Sequence, residues 1–120
     1  MNEREILIVI PYFKKDRYQK EKYLNEAREL ALAINLKAKE IKLFGIEKIN
    51  SKTFLNRGNI NTIIQVARIK KIDLIFFNYN LLPIQQRNLE KSINCKVIDR
   101  TGLILEIFGA RAKSNDGKLQ

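Results

Sequence analysis

Runs of apolar residues alternate along the chain with stretches in which apolar residues recur every three or four positions. The first run is Ile6-Leu7-Ile8-Val9-Ile10. It is short, continuous and rich in β-branched residues, the signature of a strand buried on both faces. Pro11 ends it, and Lys14 to Tyr18 read as a polar turn. Tyr23, Leu24, Ala27, Leu30, Ala31 and Ile34 then follow a helical period, with Lys, Glu and Arg between them. Ile41 to Ile49 predict a second strand, within which Gly45 marks a bulge or a close approach of backbone.

Asn50 to Gly58 read as a loop, and Ile60, Ile63, Ile64 and Ala67 as the apolar stripe of a second helix. Asp73 to Phe77 predict a third strand, and Asn78-Tyr79-Asn80 a turn. Pro83 opens a third helix, at a position where its missing N–H costs nothing. That helix carries Gln85, Gln86, Arg87, Leu89 and Ile93. Lys96-Val97-Ile98 form a short fourth strand. Asp99 or Thr101 caps a last helix with the stripe Leu103, Ile104, Ile107 and Phe108, and the end from Ala112 is polar. Strands alternating with helices predict an α/β fold: a small three-layer domain with about four mostly parallel strands flanked by helices. The first and third strands are the most apolar, hence central, and the order expected is 2-1-3-4.

The 120 residues make one domain, 45% hydrophobic and 30% charged, which is a globular balance. No segment approaches the roughly 20 apolar residues of a membrane helix, so no membrane anchor is expected. Ile6 to Ile10 is too short for a secretory signal and follows acidic residues, which points to the cytoplasm. The single cysteine, Cys95, precludes an internal disulfide and reads as a packing residue. The absence of histidine removes Ser-His-Asp and Cys-His nucleophiles and nearly all zinc sites. No acidic dyad is visible, since Asp73 and Asp99 stand alone at strand ends. No catalytic residue and no metal ligand is therefore expected.

A net charge of +10 draws the domain towards polyanions, of which RNA is the usual cytoplasmic one. The charge is evenly spread: the first sixty residues hold 13 basic and 8 acidic groups, the second sixty 10 and 5. Ligands of open parallel sheets sit beyond the carboxyl ends of the strands, where helix N-termini favour anions. Four loops gather there. They carry Tyr12, Phe13, Lys14 and Lys15; Arg57 and Gly58; Asn78, Tyr79 and Asn80; Asp99, Arg100 and Thr101. The same residue types also serve ordinary turns and caps. Candidate RNA contacts are Lys14, Lys15, Arg57 and Arg100, with Arg111, Lys113 and Lys118 near the end. Arg111 continues the stripe of Ile104 and Phe108, so its stem is expected along apolar surface. Phosphate-loop motifs fail. The one Gly-Lys pair, Gly117-Lys118, is followed by Leu119, and no G-x-G-x-x-G occurs. No cofactor is expected in this chain.

Three linked motifs carry a resemblance. Leu81-Leu82-Pro83-Ile84-Gln85-Gln86-Arg87-Asn88-Leu89-Glu90 is close to "L-S-P-x-Q-x-R-N-L-E". Val97 to Phe108 is close to "V-I-D-R-T-G-L-I-L-D-I-F". Gly109-Ala110-Arg111-Ala112-Lys113 and then Gly117-Lys118-Leu119-Gln120 resemble "A-x-R-A-R-T-x-E-G-K-L-Q". Together they resemble the N-terminal domain of the HflX family of ribosome-associated GTPases. Residues 1–50 share only the pattern. Departures lie at Phe54-Leu55-Asn56-Arg57-Gly58-Asn59, where the family has an aromatic residue and then "I-G-x-G-K". Asn56 stands for the first glycine, and its tolerance of left-handed angles would let the turn survive. Asn59 stands for the lysine, Leu82 for a capping serine and Gly109 for an alanine.

The resemblance implies a non-catalytic domain that helps a GTPase bind the large ribosomal subunit and ribosomal RNA, in a family that splits stalled or idle ribosomes. It implies that residues 100–120 begin a helical linker to a GTPase domain outside this chain, which would hold GTP and Mg. ATP-linked activities have also been attributed to the family's N-terminal region. The alternative is an intramolecular regulator, whose helix of Leu103 to Phe108 packs on its own GTPase domain and restrains hydrolysis without touching RNA.

Overall fold

The structure, a computed structural model, describes the backbone of residues 4–119 and the side chains of residues 4–112. Four strands form one parallel sheet: β1 (Arg4–Phe13), β2 (Leu36–Ile46), β3 (Leu74–Phe77) and β4 (Lys96–Asp99). Helices α1 (Lys20–Ala33), α2 (Arg57–Lys70), α3 (Pro83–Ile93) and α4 (Arg100–Leu119) complete it. The sheet order is β2-β1-β3-β4, with the first and third strands, the most apolar, at its centre as expected.

Alternation along β1 divides the core in two. Leu7 and Val9 face α2 and α3, joined by Phe54, Ile63, Phe77, Leu89 and Val97. Ile6, Ile8 and Ile10 face α1 and α4, joined by Ala27, Ala31, Phe76 and Leu103. Ile6 to Ile10 are fully buried, which accounts for the unbroken apolar run. Two helices on each face make the three layers.

Several boundaries move. β2 begins five residues before the expected position, because the register Arg4↔Leu36 to Phe13↔Ile46 pairs it along the whole of β1. Asn35, with φ of 62°, ends the helical segment and frees Leu36-Lys37-Ala38-Lys39 to alternate. Glu47 to Ile49 lie beyond the strand. Lys37 and Lys39 are exposed on this outer strand, where charge discourages pairing with another chain. The expected turn at Lys14 to Tyr18 is a 3-10 helix, Lys14–Gln19. At Gly45 the close neighbour is a side chain rather than backbone: a Cβ there would meet the Tyr12 hydroxyl at 3.0 Å. The bulge lies elsewhere, at Ile6/Leu7.

The segment before α2 corrects the sequence reading of Asn56. Its backbone is extended, φ −75° and ψ 168°, and its side chain caps α2 by accepting the Asn59 N–H at 2.7 Å. Asparagine is chosen there for its carbonyl oxygen, not for left-handed freedom. The left-handed residue is Phe54, φ 69°, an uncommon place for an aromatic side chain. Two backbone bonds to Asn50, at 2.8 and 3.0 Å, hold it. Its buried ring meets Phe77 edge-on at 5.1 Å and Tyr79 at 5.0 Å.

Candidate functional site

The carboxyl edge of the sheet collects the ends of β1, β3 and β4 and the starts of α2 and α4. Asp99 organises one side of it. Its Oδ1 accepts the Gly102 N–H at 2.8 Å and caps α4, while Oδ2 accepts the Leu81 N–H at 3.0 Å. Of the two expected caps, Asp99 is the one used; the Thr101 hydroxyl donates to Asn80 Oδ1 at 2.7 Å. The neighbouring α3 lacks a capping hydroxyl at Leu82, and Gln85 compensates in part. Its Oε1 accepts the Leu82 N–H at 2.9 Å, and its Nε2 donates to the Asn50 carbonyl at 3.1 Å. Asp73, exposed, lies just before β3 and pairs with Arg4 at 3.2 Å.

Lys14, Lys15, Arg57 and Arg100 all reach this edge, but not as one uniform patch. Lys14 pairs with Glu47 at 3.2 Å, and both are exposed. Lys15 is exposed beside it. Arg57 is exposed in the first turn of α2, next to a groove lined by Lys52 and Thr53. Arg100 turns towards α1, where its Nε donates to Glu26 Oε1 at 2.8 Å. Arg111 lies apart, eleven residues along α4, about 16 Å from the edge at 1.5 Å per residue. It is exposed. Lys113 and Lys118 lie outside the residues whose side chains are described.

The α4 stripe is also split. Leu103 and Ile107 are buried and Ile104 half-buried, whereas Phe108 is 60% exposed and its neighbour Leu105 64%.

Sequence reasoning missed the crevice between the carboxyl ends of β1 and β3. It encloses about 290 Å³ and is walled by Pro11, Tyr23, Glu26, Asn78, Tyr79 and Arg100. Loops leave β1 and β3 towards opposite faces here, which makes it the switch point of the sheet. Asn78 is only 5% exposed. Its N–H donates to the Val9 carbonyl at 2.9 Å and its Nδ2 to the Tyr23 carbonyl at 3.4 Å, yet Oδ1 is buried without a partner. Asn78 carries the sequence signature of a turn residue at this edge; Glu26 gives no signal, since it reads as one polar position among many on α1.

Cys95 is half-buried, with Sγ 3.2 Å from the Ile72 carbonyl. Burial pushes its thiol above the ordinary value of 9.0, and the negative charge of Asp73 adds to the effect. Little thiolate is present at neutral pH, so alkylation in the native state is expected to be slower than in the unfolded chain. A native rate equal to the unfolded one would contradict this. The folded state keeps this proton to higher pH than the unfolded state, so the thiol's contribution to stability is present below pH 9.0 and falls away above it. Among the described residues, no three His, Cys, Asp or Glu side chains come together as a metal site, and no helix is long and apolar enough to cross a membrane.

A parallel sheet in the order β2-β1-β3-β4 with two helices on each face is an α/β domain. The sequence profile described as GTP-binding GTPase N-terminal matches residues 21–109. The GTPase HflX of Magnetococcus marinus is 37% identical over 118 residues, covering 98% of this chain and 27% of its own. That of Escherichia coli K12 is 34% identical over 118 residues, with the same coverage. The fold also matches a GTP-binding protein from the archaeon Sulfolobus solfataricus in complex with GDP, with TM-score 0.60 and 21% identity over 88% of this chain and 30% of that one. The chain belongs to the HflX family of GTPases and corresponds to the family's N-terminal domain. It spans about 27% of the length of these curated relatives.

Proposed function

We propose that this domain is a non-catalytic docking module that helps a ribosome-associated GTPase engage the large ribosomal subunit through ribosomal RNA. The observation that carries the reading is the carboxyl edge, where Lys15 and Arg57 stand exposed and Lys14 is held only by a solvated ion pair. The net charge of +10 supports it at longer range. In this reading the protein works in the cytoplasm, where ribosomes are, and helps to split stalled or idle ones. GTP and Mg belong to a separate GTPase domain, because these residues contain no phosphate loop.

The test is binding of the 120-residue chain to purified large subunits across a salt series. Phosphate contacts predict a linear fall of log affinity with log salt, each contact adding about 0.7–0.9 to the slope. Replacing Lys14, Lys15 and Arg57 together by alanine is expected to reduce that slope by about 2. No binding at low salt, or an unchanged slope in the triple variant, would refute the reading.

A second reading draws on α4. Leu105 and Phe108 present an apolar ridge to solvent. If that ridge packs on a GTPase domain and restrains it, deleting residues 1–120 from the longer protein raises its GTP hydrolysis rate. An unchanged rate with ribosome binding lost defeats the regulator and keeps the docking module.

A further inference from the structure

We propose that the crevice at the switch point takes a single unpaired nucleobase of the RNA that the basic edge binds. The proposal rests on the RNA reading above and adds a specific pocket to it.

Asn78 Oδ1 points to the chemistry. A buried acceptor with no partner is rare, because its lost hydration is not repaid. This one belongs to a side chain that walls the crevice; the oxygen is closed off in the free protein, and a ligand N–H supplies the missing donor once the amide turns towards it. Glu26 and Arg100 settle the ligand's charge. They neutralise each other across the crevice at 2.8 Å, so neither a free anion nor a free cation gains from it. A neutral group with donors and acceptors on one edge does gain, since Glu26 and Arg100 still offer both kinds of partner. Tyr79, 37% exposed, and Tyr23 and Pro11 add flat apolar surface of the kind on which bases stack. At about 290 Å³ the space lies at the lower bound of ligand sites, which favours one ring system over a whole cofactor. Lys14 and Lys15 directly follow β1, on the same edge of the sheet.

The test compares two ten-nucleotide single strands, one of adenosine and one with the central nucleotide abasic, at a fixed low salt concentration. The wild-type chain is expected to prefer the complete strand about tenfold, the order of one stacked base. Asn78→Leu removes the acceptor but keeps the size, so the preference is expected to disappear while affinity for the abasic strand stays. Asn78→Leu also gives up the long Nδ2 bond to the Tyr23 carbonyl, so its melting temperature is expected to fall by several degrees at most. Independently of any variant, the complete strand should shift the Asn78 side-chain amide resonances in the wild-type chain more than the abasic strand does.

Equal binding of both strands by the wild type, or a preference that survives in Asn78→Leu, overturns the proposal and leaves the docking reading intact. Free adenosine competing as well as the strand overturns it in favour of a nucleoside site. Failure of either strand to bind at low salt removes the RNA reading itself, and this proposal with it.

Discussion

Phe77→Ala is expected to lower the unfolding free energy by about 3–5 kcal/mol, the usual cost of deleting a buried ring. Phe77 is 1% exposed and stands where β3 pairs with both β1 and β4. Its ring meets Phe54 at 5.1 Å with an interplanar angle of 77°, an edge-to-face contact. Two losses add. The first is the transfer of the ring and the void it leaves. The second is the support of Phe54, whose backbone sits in the left-handed region at φ 69° and depends on its surroundings to stay there. Chemical denaturation should show an earlier midpoint with a similar slope. A loss under about 1 kcal/mol would mean that this face is not closely packed.

Asp99→Ala is expected to cost about 2 kcal/mol, since the carboxylate accepts two backbone N–H groups from different segments. One bond caps α4 and the other ties down the approach to α3. Asp99→Asn keeps one good acceptor and should lose about half as much. Asp73→Ala is the control: its pair with Arg4 has side chains 82% and 52% exposed, and such pairs are worth about 0–1 kcal/mol. Thermal unfolding of the three variants checks the ranking. Equal losses for Asp99→Ala and Asp73→Ala would show that Asp99 does not bridge the two segments.

Reading the sequence worked where one local rule decides the structure. Ile6 to Ile10 and Leu74 to Phe77 are buried on both faces, so their lack of polar positions identified central strands before any contact was known. Ile60, Ile63 and Ala67 likewise marked the inward side of α2. It failed where a distant partner decides. Leu36 to Glu40 join β2 because β1, some thirty residues earlier, offers a long edge. Phe54 rather than Asn56 takes the left-handed position because the Asn50–Phe54 bridge fixes the turn, and that bridge has no signature in residue type. At the edge, the cationic residues were legible individually, while their pairing was not. Arg100 meets Glu26, 74 positions away, and Asn78 meets Tyr23, 55 positions away. The crevice exists only once α1 is laid against the end of β3.

The position of β1 in the middle of the sheet also has a consequence for biosynthesis. Its greasy segment is made first but gains its second neighbour only when Ile75 to Phe77 arrive to pair with Leu7 to Val9. Until then the nascent polypeptide carries an unsatisfied sticky flank, and closing so wide a loop slows maturation. Chains released before residue 77 is made would therefore be the ones most prone to clump.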